Sequence, residues 1–323
     1  MYEHIKQLPK GDLHLHLNGA IPTSLIKKML LENAISLPDN FNIDTDLNIL
    51  ERQTSLEEYL KPWRVLNKIP TSQSDLNLQV LHAAQGLSED NVKFAELRNT
   101  VFYIAELNRI SLEVALEWLL EALLNAENKV GIRLGLIVTL SRFQLTKEKS
   151  LAIFDAMKNL NYPPNLVGVD LAGNENIPVN NDLSIFFKKS KEELGLGITI
   201  HAGETGILQN IEQAIHVFEA DRLGHANALV TSEKMMEEVA HKNIPIEVCP
   251  NSNYLTNSIK DEKYSFLDFM RYEVPFIICS DNPQLHNKGI SEDYLKFYEL
   301  TGDVNFLQNF FDNQRKFTFI KGV

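Results

Sequence analysis

The chain has 323 residues, 44% of them hydrophobic and 23% charged; that is enough apolar material for a large buried core and excludes disorder over its length. Forty-three acidic against 31 basic residues leave a formal charge of −12, which disfavours nucleic acid and anionic membrane surfaces as partners and suits a small-molecule substrate. Cys249 and Cys279 are too few for a disulfide framework, and both sit in apolar runs where a reduced core residue is expected.

The opening MYEHIKQLPK lacks the apolar stretch of a signal peptide, and no apolar run approaches the roughly 18 residues that span a bilayer. A cytoplasmic enzyme is the expectation. Nothing in the sequence sets an oligomeric state.

Short β-rich runs alternate with helical stretches. The first strand is expected at 12–17. The gap that follows, 20–91, is longer than one crossover helix requires, so it should hold extra helices that form a lid. Within it Leu56, Tyr59, Leu60 and Trp63 recur at helical spacing and make one apolar face, which serves core packing or a gate. Further strands are expected at 92–98, 132–140, 166–171, 197–201, 222–225, 244–249 and 275–281. Helices at 111–129, 147–159, 182–194 and 232–242 are long enough to cross back over a parallel sheet. Eight strand-and-helix units with no linker between them predict one (β/α)8 barrel domain over 1–323.

Nine histidines are scattered through the chain, and a lone histidine is usually a surface or satisfied core residue. His4, His82, His216, His241 and His286 receive that reading. His14 and His16 lie two apart in a strand, so both rings face the barrel axis while the intervening leucines pack against the helices. That inward pair wants a polar partner, and a metal ion supplies one. His201 closes the strand GITIH, His225 closes RLGH and Asp281 closes PFIICSD. In a barrel these strand ends meet at one mouth. Three imidazoles and a carboxylate suit one Zn²⁺ per chain, with Fe²⁺, Co²⁺ or Mn²⁺ as alternatives. Glu204, three residues after His201, is a candidate proton carrier beside the ion.

Taken in order, LPKGDLHLHLNGAIP, ELR, GVDLAGNE, HAGET, RLGHA, EVCPNSN and CSDNP resemble the successive strand-end motifs of adenosine deaminases, from about Leu8 to the final helix. The resemblance implies a zinc-dependent aminohydrolase acting on a purine nucleoside. It implies that His14, His16, His201 and Asp281 ligate the metal, and that Glu204, His225 and Asp281 move protons and orient water. By the same likeness His16, Asn18, Gly173 and Asn282 lie on the substrate side, Gly173 offering its backbone N–H to the purine, and the helix around Leu56, Tyr59, Leu60 and Trp63 is similar in position to a hydrophobic gate.

Two residues depart from the ordinary pattern: Asn18 and Asn282 stand where the family has Asp. Relatives acting on adenine usually have Glu at the first place, and those acting on N6-modified AMP have Asn. An amide at these positions is expected to accept from a ribose hydroxyl and to donate to purine N7. Adenosine or 2′-deoxyadenosine is therefore the expected substrate, with another 6-aminopurine derivative as the alternative. A different hydrolysis, of an ester or lactone, is the more distant enzymatic reading, and a binding protein the non-enzymatic one. The latter conflicts with the presence of every expected ligand and proton carrier.

Overall fold

The computed structural model describes residues 1–143, 145–259 and 263–323. Eight strands form one parallel sheet in sequence order: β1 Lys10–His16, β2 Val92–Asn99, β3 Arg133–Ser141, β4 Leu166–Ala172, β5 Gly197–Ala202, β6 Arg222–His225, β7 Ile246–Val248 and β8 Phe276–Ile278. The sheet closes on itself just beyond β8. Asp281 N–H donates to His14 O at 2.8 Å and His16 N–H donates to Asp281 O at 2.9 Å, forming the bridge between Leu15 and Asp281. The architecture is the expected (β/α)8 barrel.

The helices between strands start and stop where their end residues dictate. Ser111, Thr146 and Ser232 each accept a hydrogen bond from a backbone N–H of the first turn, capping Leu112–Val130, Lys147–Asn159 and Glu233–Lys242. In Leu112–Val130 the buried Leu116, Leu119, Leu120 and Leu123 lie at 3- and 4-residue spacings and pack the helix onto the barrel. The expected helix from 182 begins as a 3-10 turn, Asn181–Leu183, before Ser184–Leu194. β7 and β8 are shorter than expected. After β7 the chain enters Pro250–Leu255, whose first residue has no N–H to give a ladder; after β8 it turns through Asp281 at φ 65°. Between β1 and β2 lie the extra helices, including Thr23–Glu32, Leu56–Tyr59, Trp63–Leu66 and Gln73–Glu89. Among the described residues no helix is long and apolar enough to cross a membrane.

The barrel interior is layered. At its base Leu13, Phe94, Ile137, Val167, Cys249, Ile277 and Cys279 pack with Phe319 and Ile320 of the C-terminal segment. A Cβ at Gly197 would fall 2.3 Å from the Phe319 ring, so glycine there is what lets the segment seat under the barrel. Both cysteines are buried and unpaired. The place of Leu13 corrects the expectation that the leucines of β1 all face the helices. The register of β1 on β2 shifts between Asp12 and Leu15, and such an irregularity breaks strict two-residue alternation. Leu13 thus joins the inner cluster, whereas Leu15 and Leu17 join the outer one. Above the apolar base sits a layer of buried charges, and above that the histidines.

Candidate active site

The charged layer contains Glu96, Arg98, Asp170, Arg222 and Glu247, all essentially without solvent contact. Arg222 bonds Glu96 and, through Nε, Glu247 Oε1 at 2.7 Å. Arg98 lies 3.0 Å from Glu247 and 3.6 Å from Asp170. Burying charge is tolerable only when each is paired, and here three carboxylates face two guanidinium groups. The surplus negative charge is directed upward: Glu247 Oε2 is 2.7 Å from His14 Nδ1, and Asp170 Oδ1 is 3.0 Å from His201 Nδ1. Each imidazole donates Nδ1–H to its carboxylate, which leaves the Nε2 lone pair pointing to the barrel mouth. His225 is set likewise, its Nδ1–H donating to Asn253 Oδ1 at 2.8 Å.

These lone pairs converge. The candidate ligand atoms of His14, His201 and His225 lie within 4.8 Å of one another, and so do those of His14, His16 and Asp281. His16 Nε2 is 3.2 Å from His201 Nε2 and 3.3 Å from Asp281 Oδ1. His14 Nε2 and Asp281 Oδ1, 3.6 Å apart, are buried without any hydrogen-bond partner. Two orphaned acceptor atoms facing each other among lone pairs are what a cation would satisfy, and burial holds His14 and His16 well below the usual imidazole pKa, neutral as ligands must be. The residues present therefore fit a divalent metal. His225 and Asp281 adopt left-handed backbone, φ 61° and 65°, a strain of about 1–3 kcal/mol each that non-glycine residues keep mainly at functional sites.

Glu204 lies beside this cluster, its Oε2 3.9 Å from His225 Nε2. Burial, reinforced by the charge of Glu175, pushes its carboxyl up to about 7. Glu175 also accepts the backbone N–H groups of Gly203 and Glu204, at 2.7 and 2.8 Å, and so fixes the loop that carries Glu204. Asp281 Oδ2 accepts from Ser252 Oγ at 2.5 Å.

Above the cluster opens a cavity of about 610 Å³ that reaches all of His16, Asn18, Gly173, His201, Glu204, His225, Asp281 and Asn282. Leu56, Tyr59, Leu60, Trp63, Phe143 and Ile177 give it an apolar lining. The apolar face read from the sequence packs into the core and also lines the cavity, since Leu56 and Tyr59 are buried against Ile49 and Leu255 while bordering it. Asn18 presents a group other than the one expected. Asn18 Oδ1 already accepts from Asn99 Nδ2 at 3.1 Å and Tyr103 Oη at 3.0 Å, so its free group is the NH₂ and it meets a ligand as a donor. Asn282 Nδ2 donates one N–H to Tyr59 Oη at 2.8 Å, while its Oδ1 is buried without a hydrogen-bond partner and packs against Gly19, where a Cβ would fall 2.0 Å from it.

Every site residue singled out in the sequence thus reaches one cavity or its floor. Missed were the roles of Asp170 and Glu247, lone carboxylates inside apolar strands, and of Ser252 and Asn253, although all four lie within the motifs GVDLAGNE and EVCPNSN. His286 was read as unrelated to the site, yet it is buried and 2.7 Å from Tyr59 Oη. His4, His216 and His241 are exposed and His82 half-buried, as ordinary histidines are.

The adenosine deaminase family model matches residues 9–318. An adenosine deaminase of Clostridium acetobutylicum is 30% identical over 300 residues, which cover 91% of this chain and 87% of the relative. A zinc-bound amidohydrolase of Burkholderia ambifaria superposes with a TM-score of 0.87 at 21% identity, covering 99% of this chain and 88% of the other. An N6-mAMP deaminase of Arabidopsis gives 0.84 at 23% identity, covering 98% and 95%. With a family match over almost the whole chain, a relative at 30% identity across nine-tenths of it, and a barrel of the same form, the chain belongs to the adenosine deaminase family and is a hydrolytic deaminase.

Proposed function

We propose that the protein hydrolyses the 6-amino group of adenosine or 2′-deoxyadenosine, giving inosine or 2′-deoxyinosine and ammonia, with one Zn²⁺ per chain held by His14, His16, His201 and Asp281. The observation that carries this reading is the pair of buried, unpartnered atoms, His14 Nε2 and Asp281 Oδ1, amid imidazole lone pairs directly beside a carboxyl raised to about 7. The ion would supply water acidified toward pH 7 as a nucleophile at C6.

The chain's own groups do the rest. Glu204, its carboxyl raised to about 7 by burial, donates its proton to ring N1 and takes up the charge that would otherwise build on the purine. His225, its Nδ1–H tied to Asn253, offers Nε2 as an acceptor to the attacking water. Asp281, with Oδ2 held by Ser252, orients that water from the other side. Gly173 lines the cavity at φ 101° and offers its N–H to the purine, while His16 and Asn18 face the sugar.

A second reading, the same hydrolysis on a 6-aminopurine nucleotide, is favoured by the donor face of Asn18 and by exposed Arg64 on the same cavity, both suited to an acceptor-only 5′ group. Ammonia release from a panel of adenosine, 2′-deoxyadenosine, adenine, AMP and N6-methyl-AMP, with metal-reconstituted protein, tests the ranking. Adenosine should lead, and turnover of the nucleotides without adenosine would replace the first reading by the second. Metal analysis should give one ion per chain, lost together with activity in His14→Ala or His201→Ala; a variant fully active without metal would refute the site.

A further inference from the structure

The segment that follows the helix Val304–Phe317 runs beneath the barrel and meets the layer of buried charges from below. Thr318 Oγ1 and the Phe319 N–H both donate to Glu96 Oε1, at 2.6 and 2.5 Å. Glu96 holds Arg222 through its other oxygen. The Phe317 carbonyl accepts from Arg222 Nη1 at 2.8 Å, and the Phe319 ring lies over the same guanidinium, its centroid 3.7 Å from Cζ. Glycine makes room for that ring, since a Cβ at Gly168 would fall 2.9 Å from it and one at Gly197 2.3 Å.

The direction of each hydrogen bond in this row is fixed. Thr318 Oγ1 accepts the Ile320 N–H at 3.1 Å and keeps its own proton for Glu96. A backbone amide and a guanidinium can only donate, and a carboxylate can only accept. Arg222 commits Nη1 to Phe317, Nη2 to Glu96 and Nε to Glu247 Oε1, so its plane is set from below and from the side at once. Glu247 then turns Oε2 to His14 Nδ1 at 2.7 Å. Glu96, Arg222, Glu247 and His14 are each 1% exposed or less. Water cannot replace a lost partner in such an interior, so displacing one member of the row displaces the next.

We propose that Thr318 and Phe319 are positioning residues for the metal centre: seated under the barrel, they hold Glu96 and Arg222 so that Glu247 aims the His14 imidazole at the ion. Seating of the segment and binding of the metal then favour each other, because coupling between two sites acts equally in both directions. This rests on the metal-dependent reading of the site given above.

Chelator competition for Zn²⁺ would compare the parent with Thr318→Val, which keeps the shape but not the hydroxyl, and with Phe319→Leu, which removes the ring over Arg222. Partners that touch a ligand directly are worth about 10- to 100-fold in metal affinity, and from further out each change should raise the Kd about 3- to 10-fold. In the Glu247→Gln background, where the row is cut, the same changes should move the Kd by less than about 2-fold. Phe154→Leu, the same substitution in the outer cluster, should also leave the Kd within about 2-fold, which separates positioning from general stability. If neither segment variant folds, amide exchange of the parent decides. Zn²⁺ should slow exchange at Phe319 and Ile320 by about 3- to 10-fold more than along the helix Lys147–Asn159. An unchanged Kd in Thr318→Val or in Phe319→Leu would overturn the proposal. So would equal shifts in the parent and Glu247→Gln backgrounds, an equal shift in Phe154→Leu, or equal slowing of exchange in both places. If the parent itself bound no Zn²⁺, the metal reading would fall, and the proposal with it.

Discussion

Replacing Glu247 by Gln should weaken metal binding at the proposed site while leaving the barrel folded. The Glu247 carboxylate accepts from Arg222 Nε at 2.7 Å, Arg98 at 3.0 Å and Thr199 Oγ1 at 2.9 Å, and it lies 2.7 Å from His14 Nδ1. Removing its charge changes the buried count from three carboxylates against two guanidinium groups to two against two. Arg222 keeps Glu96, and Arg98 keeps Asp170 at 3.6 Å. Neither cation is stranded, so the roughly 3–5 kcal/mol that follows an uncompensated buried charge does not apply. The loss of charge-assisted hydrogen bonds sets the cost nearer about 1.5–3 kcal/mol, which a domain stable by about 5–15 kcal/mol survives. His14, in contrast, loses the charged acceptor that fixes its tautomer, and such outer partners are worth about 10- to 100-fold in metal affinity. Competition with a chelator measures the Kd, with thermal unfolding of the metal-free protein as the control. A Kd within about twofold of the parent would refute the role given to Glu247 by this comparison with known outer partners. Failure of the metal-free variant to fold would refute the charge count.

Glu204→Gln should retain substrate and metal but lose about 10²- to 10⁴-fold in kcat, since an amide cannot deliver a proton to N1; turnover at the parent rate would remove Glu204 as the donor. The sign of its pH dependence follows from burial, which raises the carboxyl to about 7 and makes the acid form the active one. The kcat/KM profile should therefore hold below that value and fall as pH rises through it, and a profile flat from pH 6 to 8, about one unit either side, would contradict an acid with this pKa. Asn18→Asp places a carboxylate where Asn99 and Tyr103 still donate to one oxygen and the other faces the cavity. Turnover of adenosine should then equal or exceed the parent's while activity on 5′-phosphorylated substrates falls, because two unit charges about 6 Å apart repel by roughly 3 kcal/mol at an effective dielectric near 20. Unchanged preference in kcat/KM would show that residue 18 does not govern the 5′ group.

The alternation of apolar strands with amphipathic helices was enough to predict the barrel, because each half of that pattern is local: side chains repeat every two residues in a strand and every three to four in a helix. The convergence of these polar residues was legible for a related reason. A polar residue that ends an apolar strand has only the barrel mouth to face, so His14, His16, His201, His225 and Asp281 could be brought together before any coordinates were known. What the sequence could not show are contacts between residues far apart in the chain. Glu247 meets His14 across 233 positions and Asp170 meets His201 across 31, and nothing local says which carboxylate orients which ring. The shift of register that turns Leu13 inward depends on how β1 meets β2. Asn18 makes the point most plainly: residue type alone allows an amide to donate or accept, and only the surrounding Tyr103 and Asn99 decide that Asn18 keeps its NH₂ for the cavity.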